Sequence, residues 1–581
     1  MYFLKNTTFW ILIGGLLVVA SGCGKPESES AVSGPTFRGD VAPIIYENCS
    51  YCHRPGQTAP FELLTYADVS KRARQIAEVV ESRYMPPWLP GVGYNHFQNE
   101  RVLTTGQIET IKKWVAAGTP EGDSLDLTPP PTYSSKWHLG EPDLIVKMSE
   151  PFEIPADGPD LYHNFVIPIP NDRVRNVSTM EFRPGNSRVV HHAFFSIDET
   201  KESARVDAKE EGPGFGGMHA PSSALVPAGQ FFSWQPGKLP MGGADERAWR
   251  VGTNSWLVLQ LHLQTTGKKE SIQSEVGFFF SDQPARDITF KLGLSSYELE
   301  IPPGTTNFLA EDAFVLPVDV ELLGILPHAH YVAKEMQGVA TLPDGSNIWL
   351  INIPKWDFNW QGEYWYREPI RLPAGTRVGM RYFYDNSTNN AANPSSPPEP
   401  VTYGLQSVNE MAELWMIFRM KSEEDRLAMN LALLPKTALE VITYNNVLLK
   451  TEPNNAMAWL RKATGHLSLG QLEQGAEDLL RALQIDSQLD EAHYYLGLIA
   501  FQRGVLELAL EEFGKATALN PDNYMAHGYR GLVYLRQDDT QNAEISFMEA
   551  LRANPADTVA KRNLDRIREQ AATTKPGSQA Q

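Results

Sequence analysis

Cysteine is nearly absent from this chain: 581 residues contain three, Cys23, Cys49 and Cys52. So few thiols exclude a fold stapled by several disulfides. Long apolar runs are missing too. Only Phe9 to Ala20 stands out, and with its flanks it is too short for the ~20 residues a membrane-spanning helix needs. Positive charge is scarce, with 51 Lys+Arg against 70 Asp+Glu and a formal net charge of −19. A nucleic-acid partner, which requires a basic face against phosphate, is therefore not expected. What is present, 42% hydrophobic and 21% charged residues with 42 prolines and 44 glycines, is ordinary globular composition. At this length one core does not suffice, and roughly three to five domains are expected.

The N-terminus reads as an export signal over residues 1–22, with Lys5 as its positive charge and Phe9 to Ala20 as its apolar core. It ends in Ala20-Ser21-Gly22-Cys23, which resembles the lipobox of bacterial lipoproteins. That resemblance implies cleavage before Cys23, acylation of its sulfur, and a protein held at a membrane, facing the periplasm or the cell surface. Residues 23–36, rich in Ser and Glu, suit a flexible tether.

With Cys23 so used, Cys49 and Cys52 are the remaining pair. They stand in Cys49-Ser50-Tyr51-Cys52-His53, the C-x-x-C-H attachment motif of c-type haem. Two thiols this close can both reach the vinyl groups of one porphyrin, and the adjacent His53 is then aimed at the iron. The competing motif, a thioredoxin-like pair, belongs to a βαβ setting that is not seen here. Helical patterns at Phe37 to Glu47, Tyr66 to Arg83 and Gln107 to Ala117 surround the motif instead. Met85, in Arg83-Tyr84-Met85-Pro86-Pro87-Trp88, is the favoured second axial ligand, with His96 as the alternative. Residues 37–123 as a whole resemble a small all-α cytochrome c domain carrying one covalent haem.

A Pro-rich linker, 124–136, separates this domain from a region of short strand-like runs, among them Leu257 to Leu263 and Arg377 to Tyr384. The span suits two antiparallel β-sandwiches, 137–285 and 286–425. Five histidines fall here in three groups: His191-His192, His262, and His328-Ala329-His330. On a strand, residues i and i+2 share a face, so His328 and His330 form a ready chelate. Adjacent His191 and His192 point to opposite faces, and share a metal only where the strand bends or where one binds through Nδ1.

The order double His, single His about 70 residues on, H-x-H, then Met resembles the copper type II ascorbate-dependent monooxygenases, the family of the peptidylglycine and dopamine hydroxylating enzymes. The resemblance implies two coppers. His191, His192 and His262 would hold the electron-transfer copper, and His328, His330 and Met411 the copper at which oxygen is activated. Met411 lies in Asn409-Glu410-Met411-Ala412-Glu413-Leu414-Trp415; the nearby Met416 is an odd number of residues away and would face the other side of a strand. A thioether with two imidazoles suits Cu(I). Three departures stand out, one being Trp415 where the family has a substrate-side tyrosine just past the methionine. The β region has no cysteine where the family has disulfides, and Leu326 stands where peptide-amidating members carry a substrate-binding arginine.

From about residue 456 the chain repeats at 34 residues, the period of TPR helix pairs. Leu496, Gly497, Gly504, Ala509, Phe513, Ala516 and Pro521 make one unit; Gly531, Tyr534, Ala543, Phe547, Ala550 and Pro555 make the next; Trp459, Gly470 and Ala482 belong to an earlier one. The repeats are placed over 438–565, with a disordered tail at 566–581, and offer a surface for a protein partner. The sequence reading is thus a multidomain, lipid-anchored copper monooxygenase. It would hydroxylate a C–H bond of a small molecule or peptide with O2, its electrons relayed through the haem. The alternative is a non-catalytic haem and copper electron carrier docked through its TPRs.

Overall fold

The computed structural model describes residues 34–574, apart from 56, 58, 124–127, 133–136, 219, 242 and 244 and the side chains of 571–574. The expected export signal, Cys23, most of the expected tether and residues 575–581 lie outside the described residues, whereas 566–574 of the expected disordered tail are the end of a helix. No helix among the described residues is long and apolar enough to cross a membrane. The chain is multidomain, with many strands and a C-terminal helical array, and it divides into two compact units.

The first unit comprises Met1–Pro55, Phe61–Tyr84 and Leu103–Pro131, and its described elements are helical. A π-helical turn, Phe37–Val41, runs into α1 (Ala42–Asn48). The helix anticipated from Tyr66 to Arg83 is two: α2 (Tyr66–Ser70) and α3 (Ala73–Glu81). The break falls at Arg72, whose φ of −115° and ψ of 11° leave the helical region. The third expected helix is α4 (Thr105–Ala116). Thr65 with Asp68 and Thr104 with Gln107 form reciprocal capping boxes that fix two starts. Ala73, Ile76 and Val80 of α3 lie on one face and are buried, joining Phe37, Ile45, Ile111 and Trp114 in the core.

Residues 85–102 depart from the expected domain of 37–123: Met85–Val102 belongs to the second unit. The reason is burial and backbone pairing. Phe97 is 2% exposed within the core of the C-terminal β half, Gly91 N–H donates to Asn352 O (2.8 Å), and Gln98 N–H donates to Trp365 O (2.7 Å). These partners lie far along the chain, so local pattern could not show them.

The second unit holds four main antiparallel sheets in two pairs. In the N-terminal half, Leu144–Lys147, Glu275–Ser281, Arg175–Arg183 and Trp249–Val251 form one sheet in that order. Leu161–Pro168, Trp256–Leu263 and Val190–Asp198 are the centre of the other. One core lies between them, with Val177, Val276 and Phe278 from the first sheet and Phe165, Leu259 and Leu261 from the second. A short helix, α5 (Glu202–Asp207), follows Asp198.

In the C-terminal half, Ile288–Ser295, Glu413–Met420, Val320–His328 and Tyr364–Leu372 form one sheet. Thr305–Val315, Arg377–Asn386, Ala333–Thr341 and Asn347–Ile353 form the other. Along Arg377–Asn386 the period of two is visible: Val378, Met380, Tyr382 and Tyr384 are buried and meet Met336, Ile325 and Phe418.

Eight helices follow. The first, α6 (Glu423–Thr451), is 29 residues long and starts at Ser422, whose Oγ accepts from Asp425 N–H. It begins before the expected repeat region and belongs to the β half as much as to the repeats, because Met429 is buried in that half's core and Lys436 pairs with Asp312 (2.5 Å). Then come α7 (Ala456–Ser468), α8 (Leu472–Ile485), α9 (Asp490–Gln502), α10 (Leu506–Leu519), α11 (Tyr524–Arg536), α12 (Thr540–Ala553) and α13 (Thr558–Thr574). The small residues of the repeat let helices meet. A Cβ on Gly497 would stand 2.6 Å from the Phe513 ring, and one on Gly531 would stand 2.7 Å from Phe547. Gly497→Val is therefore expected to destabilise the repeats by about 2 kcal/mol through overpacking. Thermal unfolding followed by helical circular dichroism would show this; an unshifted transition would contradict the packing.

Candidate metal centres

His192 and His262 face one another across paired strands. Just beyond them the register slips, so that Leu263 pairs with Val190 and His191 is the extra residue of a bulge. A bulge turns one side chain back toward its neighbour's face. This is how adjacent histidines come to share a site. His192 Nδ1 lies 3.2 Å from His191 Nδ1 and 3.3 Å from His262 Nδ1. A ligand atom from each of the three falls within 4.8 Å of the others.

Behind the cluster, Asp160 Oδ2 accepts from His262 Nε2 at 2.7 Å. That bond places the His262 proton on Nε2 and leaves the Nδ1 lone pair facing the other rings. Tyr162, opposite His262 in the neighbouring strand, stacks on it with centroids 4.3 Å apart and planes at 14°. The rings are held neutral. Burial and then the His262 charge depress His191 to about 4; burial, His262 and His191 depress His192 strongly; burial lowers His262 against the pull of Asp160. Three converging, unprotonated ring nitrogens are a donor set for a borderline or soft cation. The residues fit copper.

The second group is built at the end of Val320–His328. His328 and His330 flank Ala329, which is fully buried in the core, and their rings stand 5.2 Å apart. Each donates its Nδ1 proton to a fixed oxygen: His328 to Gln361 Oε1 (2.5 Å), His330 to Asn409 O (3.2 Å). Both Nε2 atoms are thereby left with a lone pair that could serve a metal. Burial, then His328, pushes His330 down to about 3.

Glu410 is fully buried and gathers this corner. Its Oε1 accepts from the backbone N–H groups of His330 and Met411, and its Oε2 from Val332 N–H (3.1 Å). Burial pushes its carboxyl up to about 8 against those donors. Met411, expected on a strand, lies just before Glu413–Met420, because its N–H is taken by Glu410 instead of a ladder partner. Met416 is in that strand and fully buried in the core.

One phenyl ring joins the two groups. Phe358 stacks on His191 (4.9 Å, 27°) and meets His330 edge-on (5.5 Å, 79°). The segment that carries it also supplies Trp356, which donates to His330 O (3.0 Å), and Gln361 on His328. Sequence reasoning missed Asp160, Phe358 and Gln361. The aromatic run Trp356-Asp357-Phe358-Asn359-Trp360 was the available signal for the second and third.

In the metal-free chain His191, His192, His262 and His330 titrate lower when folded than the ordinary 6.5. Below pH 6.5 the unfolded chain takes up protons that the folded chain refuses, so stability is full above that value and falls toward pH 4. Melting of the metal-free chain is expected to drop between pH 7.5 and 5. An unchanged melting temperature would contradict neutral, buried rings.

In the first unit, Cys49 closes α1 and His53 N–H donates to Cys49 O (3.0 Å), so the C-x-x-C-H segment is one compact turn. Among the described residues neither thiol is in a disulfide. Burial, then Cys52, pushes the Cys49 thiol up to about 12. A catalytic dithiol needs a lowered pKa, so this is not a thioredoxin-like environment. His53 Nδ1 donates to Phe61 O (3.0 Å), leaving Nε2 for a metal. That arrangement fits an axial haem ligand. Met85 is the first residue of the segment counted with the second unit, and His96 is exposed beside Glu100.

The tetratricopeptide-repeat family profile matches residues 460–514 and 494–558. The C-terminal helices are tetratricopeptide repeats. Similar solved structures include MamA, 24% identical over 22% of this chain and 77% of that one, with a TM-score of 0.21. The first TPR of Spaghetti (RPAP3), bound to an HSP90 peptide, is 17% identical over 20% and 93% of the two chains, with a TM-score of 0.20. The Arabidopsis OM64 TPR domain is 16% identical over 20% and 95%, with a TM-score of 0.19. No curated protein matches the chain.

Proposed function

We propose that this protein is a copper-dependent monooxygenase of the peptidylglycine and dopamine hydroxylase type, built on two β-sandwiches and fused to a cytochrome c domain and TPRs. The observation that carries it is the convergence of His191, His192 and His262 through Nδ1, with the His328 and His330 pair across Phe358. Bound copper would supply one-electron transfer at the three-histidine site and oxygen activation at the site of His328, His330 and Met411, and bound haem would supply the electrons.

The chain's own residues prepare both sites. Asp160, Gln361 and Asn409 each take a ring proton, so one nitrogen of each partnered imidazole stays a ligand. Glu410 ties the backbone of His330 to that of Met411. Phe358 sets an apolar ring between His191 and His330. Cys49 and Cys52 would form the thioether links, with His53 as an axial ligand. Cys23 would anchor the exported chain through lipid, and the TPR surface would receive a protein partner.

Rapid mixing tests the relay. The reduced, copper-loaded chain is expected to reoxidise its haem with O2 faster than the copper-free chain, and equal rates would contradict the reading.

A further inference from the structure

A cavity of about 610 Å3 lies in the second unit, within the range of roughly 300–1,000 Å3 that small-molecule sites occupy. Three parts of the chain wall it. The C-terminal β half gives Tyr297 and Tyr403, the helices α6 and α7 give Tyr444 and Arg461, and the N-terminal half gives Met218. The three tyrosine rings form a mutual edge-to-face set, with centroids 5.1, 5.6 and 5.9 Å apart. Such a set offers ring edges and faces to another aromatic group.

The cavity is tied to both histidine strands. Asn409 lines it, and the same residue's carbonyl accepts from His330 Nδ1, two positions before Met411. Met218 lines it as well, and its carbonyl accepts from Gln260, two positions before His262 on one strand (2.9 Å). Gly214 allows that loop its path: its φ is +82°, and a Cβ there would stand 2.3 Å from Asn164 O.

The wall carries Glu298, Glu300 and Glu452 against Lys450 and Arg461, so the ligand's anchor turns on which cation is unpaired. Lys450 is paired with Glu300 at 2.6 Å and has Glu298 nearby, and Glu452 accepts from Asn455. Arg461 forms no ion pair among the described residues; it lies near Glu491 and near Tyr444, whose phenol burial raises against the pull of that guanidinium. Its guanidinium is the cation left to receive an anion.

We propose that the cavity binds an aromatic carboxylate, its ring among Tyr297, Tyr403 and Tyr444 and its carboxylate on Arg461. The further claim, that this ligand is the substrate of the His328, His330 and Met411 site, rests on the copper reading; the binding itself does not. The helices α6 and α7 are then part of the ligand site, and the later repeats keep the docking surface.

The test titrates 2-naphthoate, with 2-naphthalenemethanol as its neutral counterpart, into the full metal-free chain. Saturable binding of one naphthoate per chain is expected. Arg461→Gln should weaken naphthoate roughly tenfold and leave the alcohol nearly unchanged, as loss of one charge-assisted contact predicts. Tyr444→Leu should weaken both, with Tyr444→Phe as the variant that keeps α6 packed. No saturable binding, or wild-type affinity in Arg461→Gln, would overturn the proposal. On the copper-loaded chain, naphthoate should alter the Cu(II) electron paramagnetic resonance spectrum in wild type and far less in Arg461→Gln. Intact binding with an unaltered spectrum would overturn the substrate role while leaving copper binding standing.

Discussion

His262→Ala is expected to lower the copper content of the chain by one ion and leave covalent haem unchanged. The substitution removes one of three converging nitrogens and strands Asp160, whose carboxylate then has no imidazole to orient. Two histidines on one bulged strand remain, without the partner from the neighbouring strand that closes the site. Asp160→Asn separates the two effects. It keeps all three ligands but weakens the bond that holds the His262 proton on Nε2, and a change of this kind typically costs about 10–100-fold in metal affinity. Copper titration of both variants against a chelator of known affinity reads this directly. Wild-type copper retention in His262→Ala would remove the three-histidine site from the account.

Replacing Cys49 and Cys52 together with serine is expected to abolish covalent haem and leave copper binding intact. The two cysteines lie in the helical first unit, whereas the histidine groups lie in the second. Cys49 closes α1 and its thiol is pushed up by burial, unlike the lowered thiol of a catalytic dithiol. Acid–acetone extraction should strip haem from any residual complex of the variant and fail to strip it from wild type. Covalent haem persisting without these cysteines would contradict the attachment site.

Much of the framework was legible because it is local or periodic. The 34-residue spacing of Gly497 with Gly531 and of Phe513 with Phe547 is a packing rule repeated along the chain, and the structure shows each glycine against its phenyl ring. The histidine groups could be named from type and spacing. Their surroundings could not. Asp160 reaches His262 across 102 residues of sequence, and Glu410 reaches His330 across 80. The bulge that turns His191 toward His192 is a property of strand pairing and leaves no mark in either strand alone. Residues 85–102 illustrate the opposite failure. Their neighbours in sequence suggested the helical unit, while Phe97 is buried in the C-terminal β half and its carbonyl accepts from Arg367 across 270 residues of sequence.

Copper and haem content per chain, measured on haem-matured protein lacking residues 1–23, tests the central claim most directly. The account predicts about two coppers and one haem, as the two imidazole groups and the single C-x-x-C-H turn require. One haem with no copper after reconstitution would contradict it.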